Sequence, residues 1–87
     1  MTYSEARDNV EKMKIALKEK WIYLLEMDED PGNDISFFDI GGNSLTAGIL
    51  FSEIQNDLSI KIEISEIYDN DTINGLAELI VDKCKEK

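Results

Sequence analysis

Apolar residues recur at three- and four-residue steps in three stretches of the chain, and each stretch predicts a helix with one buried face. In the first, Val10, Met13, Leu17, Trp21 and Leu24 form a stripe that Leu25 widens. Thr2 and Glu5 have the spacing of a capping box, so this helix is predicted to start at Thr2, or at Ser4, and to run to about Glu26. Trp21 lies inside the stripe and is read as core, not as a ligand platform. Lys12, Lys14, Lys18 and Lys20 lie mostly off it, with Asp8 and Lys12 placed as an i, i+4 pair. The second helix is predicted from Ser44 to Leu58, with Ala47, Leu50, Phe51, Ile54 and Leu58 facing the core. At about 100° per residue, Leu45 and Ile49 fall on the opposite side, exposed one turn apart. The last helix follows a cap at Asp71 or Thr72 and runs to Lys83 or beyond. Its buried face is Ile73, Leu76, Ala77, Ile80 and Cys84, and Lys83, Lys85 and Lys87 complement the dipole at its C-terminal end.

Between these stretches the pattern changes. Ser59 to Ile64 alternates apolar and polar residues, which is a strand signal. No second segment offers it a partner, so it is read as an extended connection whose isoleucines pack on the helices. Ser65-Glu66-Ile67-Tyr68 then makes a short helix with Ser65 as its cap. Met27 to Asn43 reads as a long loop, dense in turn formers from Asp28 to Asp34, with Ile35, Phe37, Phe38 and Ile40 pinning it to the core. The expectation is an all-α fold: one domain over residues 1–87, with three main helices and a short third one.

Charge narrows the partners. Lys and Arg number 9 against 19 Asp and Glu, a net charge of −10, which excludes nucleic acid and anionic membrane surfaces as natural partners. From Trp21 to Ile60 there is no Lys or Arg, while Glu26, Asp28, Glu29, Asp30, Asp34, Asp39, Glu53 and Asp57 all lie there. This single-sign window is read as steering toward basic partner surfaces. Asp28, Asp30 and Asp34 suggest a calcium loop, but a loop starting at Asp28 puts Asn33 where glycine is needed and Asp39 at the bidentate position, so the register fails. The chain has no histidine and a single cysteine, Cys84, so it can build neither a Ser-His-Asp triad, a Cys/His zinc site nor an internal disulfide. No apolar run is long enough for a membrane span and Met1-Thr2-Tyr3-Ser4 shows no signal-peptide pattern, so the expectation is a cytoplasmic protein.

The chemistry is concentrated in Phe37-Phe38-Asp39-Ile40-Gly41-Gly42-Asn43-Ser44-Leu45. Apolar anchors, then a glycine pair, put Ser44 at a loop-to-helix junction, where unpaired N–H groups and the helix dipole suit a phosphate. Both glycines are expected to tolerate positive φ and to leave room for an approaching enzyme. On spacing alone, Asn43 or Ser44 is only a helix cap, and the domain an unmodified helical interaction module. In full, however, the stretch resembles the serine motif of the peptidyl carrier (thiolation) domains of nonribosomal peptide synthetases, within the acyl-carrier-like superfamily. Asn43 stands where Asp or His is common in that family.

The resemblance implies a four-helix carrier that is not itself an enzyme. Ser44 would receive 4′-phosphopantetheine from coenzyme A by the action of a phosphopantetheinyl transferase. The thiol of the arm would hold aminoacyl or peptidyl groups as thioesters. Adenylation, condensation or thioesterase-type domains would be the partners of a monomeric carrier, meeting it at Leu45, Ile49, Ile67 and Tyr68. The initial Met1 and the absence of a linker point to a free-standing carrier.

Overall fold

The computed structural model describes residues 1–86, and Lys87, expected at the end of the last helix, lies outside them. Four α-helices follow in order: α1 at Val10–Leu24, α2 at Ser44–Leu58, the short α3 at Ile64–Asp69 and α4 at Ile73–Lys85. Single 3-10 turns precede α1 at Ser4–Ala6 and α2 at Phe37–Ile40. Among the described residues no strand forms, so the all-α bundle is the observed architecture. No helix among the described residues is long and apolar enough to cross a membrane.

The first helix starts later than Thr2. The reciprocal bonds of a capping box do form there: Glu5 N–H donates to Thr2 Oγ1 (3.2 Å) and Thr2 N–H to Glu5 Oε1 (3.1 Å). They cap only one 3-10 turn, which buries Tyr3 and Ala6 and is tied down by Ser4 Oγ donating to the Asp57 carbonyl (3.1 Å). The chain then re-enters helix at Asn9, whose side chain accepts from Lys12 N–H. Helix α1 buries Met13, Ala16, Leu17 and Trp21, with Val10, Leu24 and Leu25 packed at its margins, and its main partner is α4. The ion pair within the helix is Lys14–Glu11 (3.0 Å), and Asp8–Lys12 does not form among the described residues.

Helix α2 spans the predicted residues and buries Ala47, Leu50, Ile54 and Leu58, with Phe51 half-buried. Helix α4 is capped by Thr72, which accepts from Gly75 N–H, and buries Val81 beside the expected Ile73, Leu76, Ala77 and Ile80. The connection after α2 is held by Ile62, which is buried and whose N–H donates to Gln55 Oε1 (3.0 Å). Ile64, expected to pack inward from an extended connection, is exposed because it is already the first residue of α3. The N-cap of that helix is Glu63, not Ser65. Glu66 receives the Glu63 N–H and pairs with Lys83 (3.1 Å), and these contacts hold its carboxyl below the usual range. This tie between α3 and α4 is therefore present at neutral pH and is lost as pH falls through that lowered value.

The loop before α2 is fixed by polar bonds to residues far along the chain. Phe37 N–H donates to the Asp71 carbonyl (2.7 Å) and Ser36 Oγ to Asp71 Oδ2 (2.6 Å). Asn74 N–H donates to the Asn33 carbonyl (3.1 Å), and the Asn74 side chain donates to Asp34. The apolar anchor is Phe37, fully buried, with Phe38 and Ile40 at the edge of the core, whereas Ile35 is exposed and pins nothing.

Candidate functional site

The turn that presents Ser44 is built on Phe37. Its carbonyl accepts the N–H of Gly42 (2.9 Å), and Gly41 closes the 3-10 turn with φ 109°, a left-handed conformation natural to glycine. The two glycines serve different ends. Gly42 does not have positive φ; a Cβ there would run into the Phe37 ring and the Phe37 carbonyl oxygen. The expectation of positive φ thus holds for Gly41 alone.

Asn43 caps α2. Its Oδ1 accepts from Thr46 N–H (3.0 Å), and its own N–H donates to Thr46 Oγ1 (2.9 Å), which completes a capping box. Ser44 is therefore the first helical residue, and its hydroxyl takes no part in capping. The signal for this was present in the Asn43-to-Thr46 spacing. Ala47 N–H is taken by the Asn43 carbonyl, so the N–H groups of Ser44 and Leu45 remain without an intrahelical acceptor.

Ser44 is exposed, and its Oγ lies 3.2 Å from the Tyr68 hydroxyl. One turn further on, Gly48 has nothing within 4 Å of where a Cβ would stand, so the helix face beyond the serine is open. An exposed hydroxyl free of capping, two outward N–H groups and a clear face fit a phosphate-linked arm.

The expected surface residues divide. Leu45 is 74% exposed, Ile49 41% and Tyr68 47%, but Ile67 is 1% exposed and belongs to the core. The reason is geometric. Successive helical residues point about 100° apart, so a short helix held by burying one residue cannot show that residue on its outer side. Ile67 anchors α3, and Tyr68 faces out. Ile64, four residues before Tyr68 and 44% exposed, shares the outer face in its place.

The acidic window is less uniform in space than along the chain. Lys18 and Lys20 of α1 reach into it, pairing with Asp30 (3.0 Å) and Glu53 (2.8 Å). The Asp30 carboxyl is held below its ordinary range by the Gly32 N–H and by Lys18. Glu26, Asp28, Glu29 and Asp39 make no ion pair among the described residues.

Sequence comparison places this geometry among known proteins. The profile of the family described as "Phosphopantetheine attachment site" matches residues 16–80. Bacitracin synthase 2 of Bacillus licheniformis is 33% identical over 84 residues, covering 97% of this chain and 3% of that protein. L-2-aminoadipate reductase of Schizosaccharomyces pombe is 30% identical over 64 residues, covering 74% and 4%. Nonribosomal peptide synthetase asaC of Aspergillus flavus is 40% identical over 48 residues, covering 55% and 5%. The chain thus spans only a few per cent of the length of these relatives. The matched region runs from within α1 to within α4 and takes in the glycine turn, the Asn43 cap and the start of α2. A match over residues 16–80, most of the 87-residue chain, places it in the phosphopantetheine-attachment family, whose members are carrier domains bearing a covalently attached 4′-phosphopantetheine.

Proposed function

We propose that Ser44 is the attachment residue and that the chain is a carrier of aminoacyl or peptidyl groups in nonribosomal peptide biosynthesis, itself without catalytic activity. The observation that carries this reading is the Asn43–Thr46 capping box, which leaves the Ser44 hydroxyl exposed and free of any helix-capping duty. It also counts against the rival reading of an unmodified interaction domain with Ser44 as a mere cap. Ser44 Oγ attacks the phosphorus of coenzyme A that bears the pantetheine. The new bond is Ser44 Oγ–P, and the bond to the adenosine 3′,5′-bisphosphate leaving group breaks. The serine proton passes to a base of the transferase. The attached arm supplies a terminal thiol for thioester formation.

The similarity to peptide synthetases supports a peptide-synthetase setting, and in that setting adenylation, condensation or thioesterase-type domains are the proposed partners of a monomeric carrier. The cytoplasm is the proposed compartment, in keeping with a single cysteine and no possible internal disulfide. The unpaired carboxylates of the acidic window steer basic partners, chiefly by raising association rates.

Incubation with coenzyme A and a broad-specificity phosphopantetheinyl transferase is expected to add the mass of one arm to the protein. Ser44→Ala should fold with stability within about 0.5 kcal/mol of the parent, as for a surface substitution, and gain no mass. A loaded Ser44→Ala protein refutes the assignment.

Leu45, Ile49, Ile64 and Tyr68 form the proposed docking surface, two i, i+4 apolar pairs on the two helices that meet at the serine. The double change Leu45→Ala, Ile49→Ala should leave the melting temperature nearly unaltered. It should lower the transferase kcat/KM about tenfold, the loss of about 1.4 kcal/mol typical of a contributing interface pair. A large fall in melting temperature without a kinetic effect would make these residues structural.

A further inference from the structure

Tyr68 stands where two independent contacts meet. Its ring is parallel to that of Phe38, with centroids 4.8 Å apart and planes at 3°. Phe38 is edge-on to Phe37 (5.4 Å), and Phe37 is edge-on to Trp21 (5.0 Å). The phenol is thus positioned by an aromatic series that begins in the core. Its hydroxyl lies 3.2 Å from Ser44 Oγ, and either oxygen can donate, since both carry a hydrogen.

Attachment at Ser44 removes that ambiguity. The serine oxygen loses its hydrogen, and the phosphodiester brings acceptors and a full negative charge. No Lys or Arg lies between Trp21 and Ile60 along the chain; Lys18 and Lys20, which reach into that window, pair with Asp30 and Glu53, and Lys61 and Lys83 pair with Glu63 and Glu66. What the site offers instead are neutral donors: the N–H groups of Ser44 and Leu45, and the Tyr68 phenol. Of these only the phenol is a side chain, and the Phe38 stack has already met the cost of ordering it.

We propose that Tyr68 is a binding residue for the attached group, its phenol donating a hydrogen bond to the phosphodiester formed at Ser44. The proposal rests on Ser44 as the attachment residue. A hydrogen bond to an anion is stronger than one between neutral groups, so the contact tightens on attachment.

Tyr68→Phe isolates the hydroxyl, because the ring and its stack on Phe38 are kept. Wild type and Tyr68→Phe are each loaded with coenzyme A and a broad-specificity transferase, and loading is verified by intact mass. Two readouts follow, neither of them carrier activity. The phosphorus NMR resonance of the phosphodiester is expected at different positions in the two loaded proteins. The change in melting temperature on loading is expected to be more favourable in wild type by about 4 °C, the effect of one hydrogen bond in a domain of this size. Identical resonances together with identical melting changes overturn the role of Tyr68 while leaving Ser44 intact. A wild-type protein that gains no mass overturns the Ser44 assignment itself, and the role of Tyr68 with it.

Discussion

Trp21→Ala is expected to cost about 3–5 kcal/mol of stability, as is usual for truncating a fully buried aromatic. The indole is completely buried and packs edge-on against Phe37 at 5.0 Å, so its loss leaves a cavity beneath the turn that carries the serine. A domain of 87 residues has a total stability of about 4–13 kcal/mol. The substitution therefore removes a large part of it, and the melting temperature should fall by roughly 15–30 °C. The indole N–H is buried without a hydrogen-bond partner among the described residues, so the ring's contribution is packing rather than polarity. Trp21→Phe, which deletes that unpaired donor along with part of the volume, should cost less than half as much. Urea denaturation of the three proteins checks both statements. A Trp21→Ala protein melting within a few degrees of the parent would show that the indole does not organise the core.

Gly42→Ala is expected to be nearly as damaging, at about 3 kcal/mol, the upper end for forcing atoms into a filled site. The added methyl collides with the Phe37 ring and with the Phe37 carbonyl oxygen. The ring cannot yield without leaving Trp21, and the carbonyl cannot yield without releasing the Gly42 N–H that closes the turn. Gly41→Ala meets nothing within 4 Å, and its cost is the torsional one of placing a side chain at φ 109°, about 1–2 kcal/mol. Neighbouring glycines thus fail for different reasons, which a double substitution tells apart. Phe37→Leu should relieve part of the Gly42→Ala penalty and none of the Gly41→Ala penalty, a non-additivity readable in urea midpoints. If Ser44 is the attachment residue as proposed, its loading should also slow in Gly42→Ala, because the glycine turn leads directly into the serine. Equal and additive costs at the two positions would mean that the Phe37 collision is not what excludes a side chain at Gly42.

The elements that the amino-acid pattern determined are those whose causes lie within a few residues. Helix α2 falls on the predicted Ser44 to Leu58 because its period is unbroken and its cap is local. Helix α4 begins after Thr72 for the same reason. Trp21 is core because it lies in a regular stripe, and Leu45 and Ile49 are exposed because they lie opposite one. The place of Ser44 at the start of a helix after a glycine turn was legible for the same reason, since that arrangement spans only a few residues.

Tertiary structure decided the rest, wherever the cause lay far along the chain. Thr2 and Glu5 formed their capping bonds, yet only one turn followed, because burying Tyr3 and Ala6 and binding Ser4 to Asp57 turn the chain before α1. Which face of α3 pointed inward depended on the bundle it crosses, so Ile67 was buried and Ile64 was not. Lys18 and Lys20 entered an acidic window that contains no cation along the chain. Tyr68 reached Ser44 across 24 positions, placed by a stack on Phe38 that no helical period encodes. Side-chain spacing specifies what a helix can bury, but which residue meets which across the bundle is set only when the helices pack.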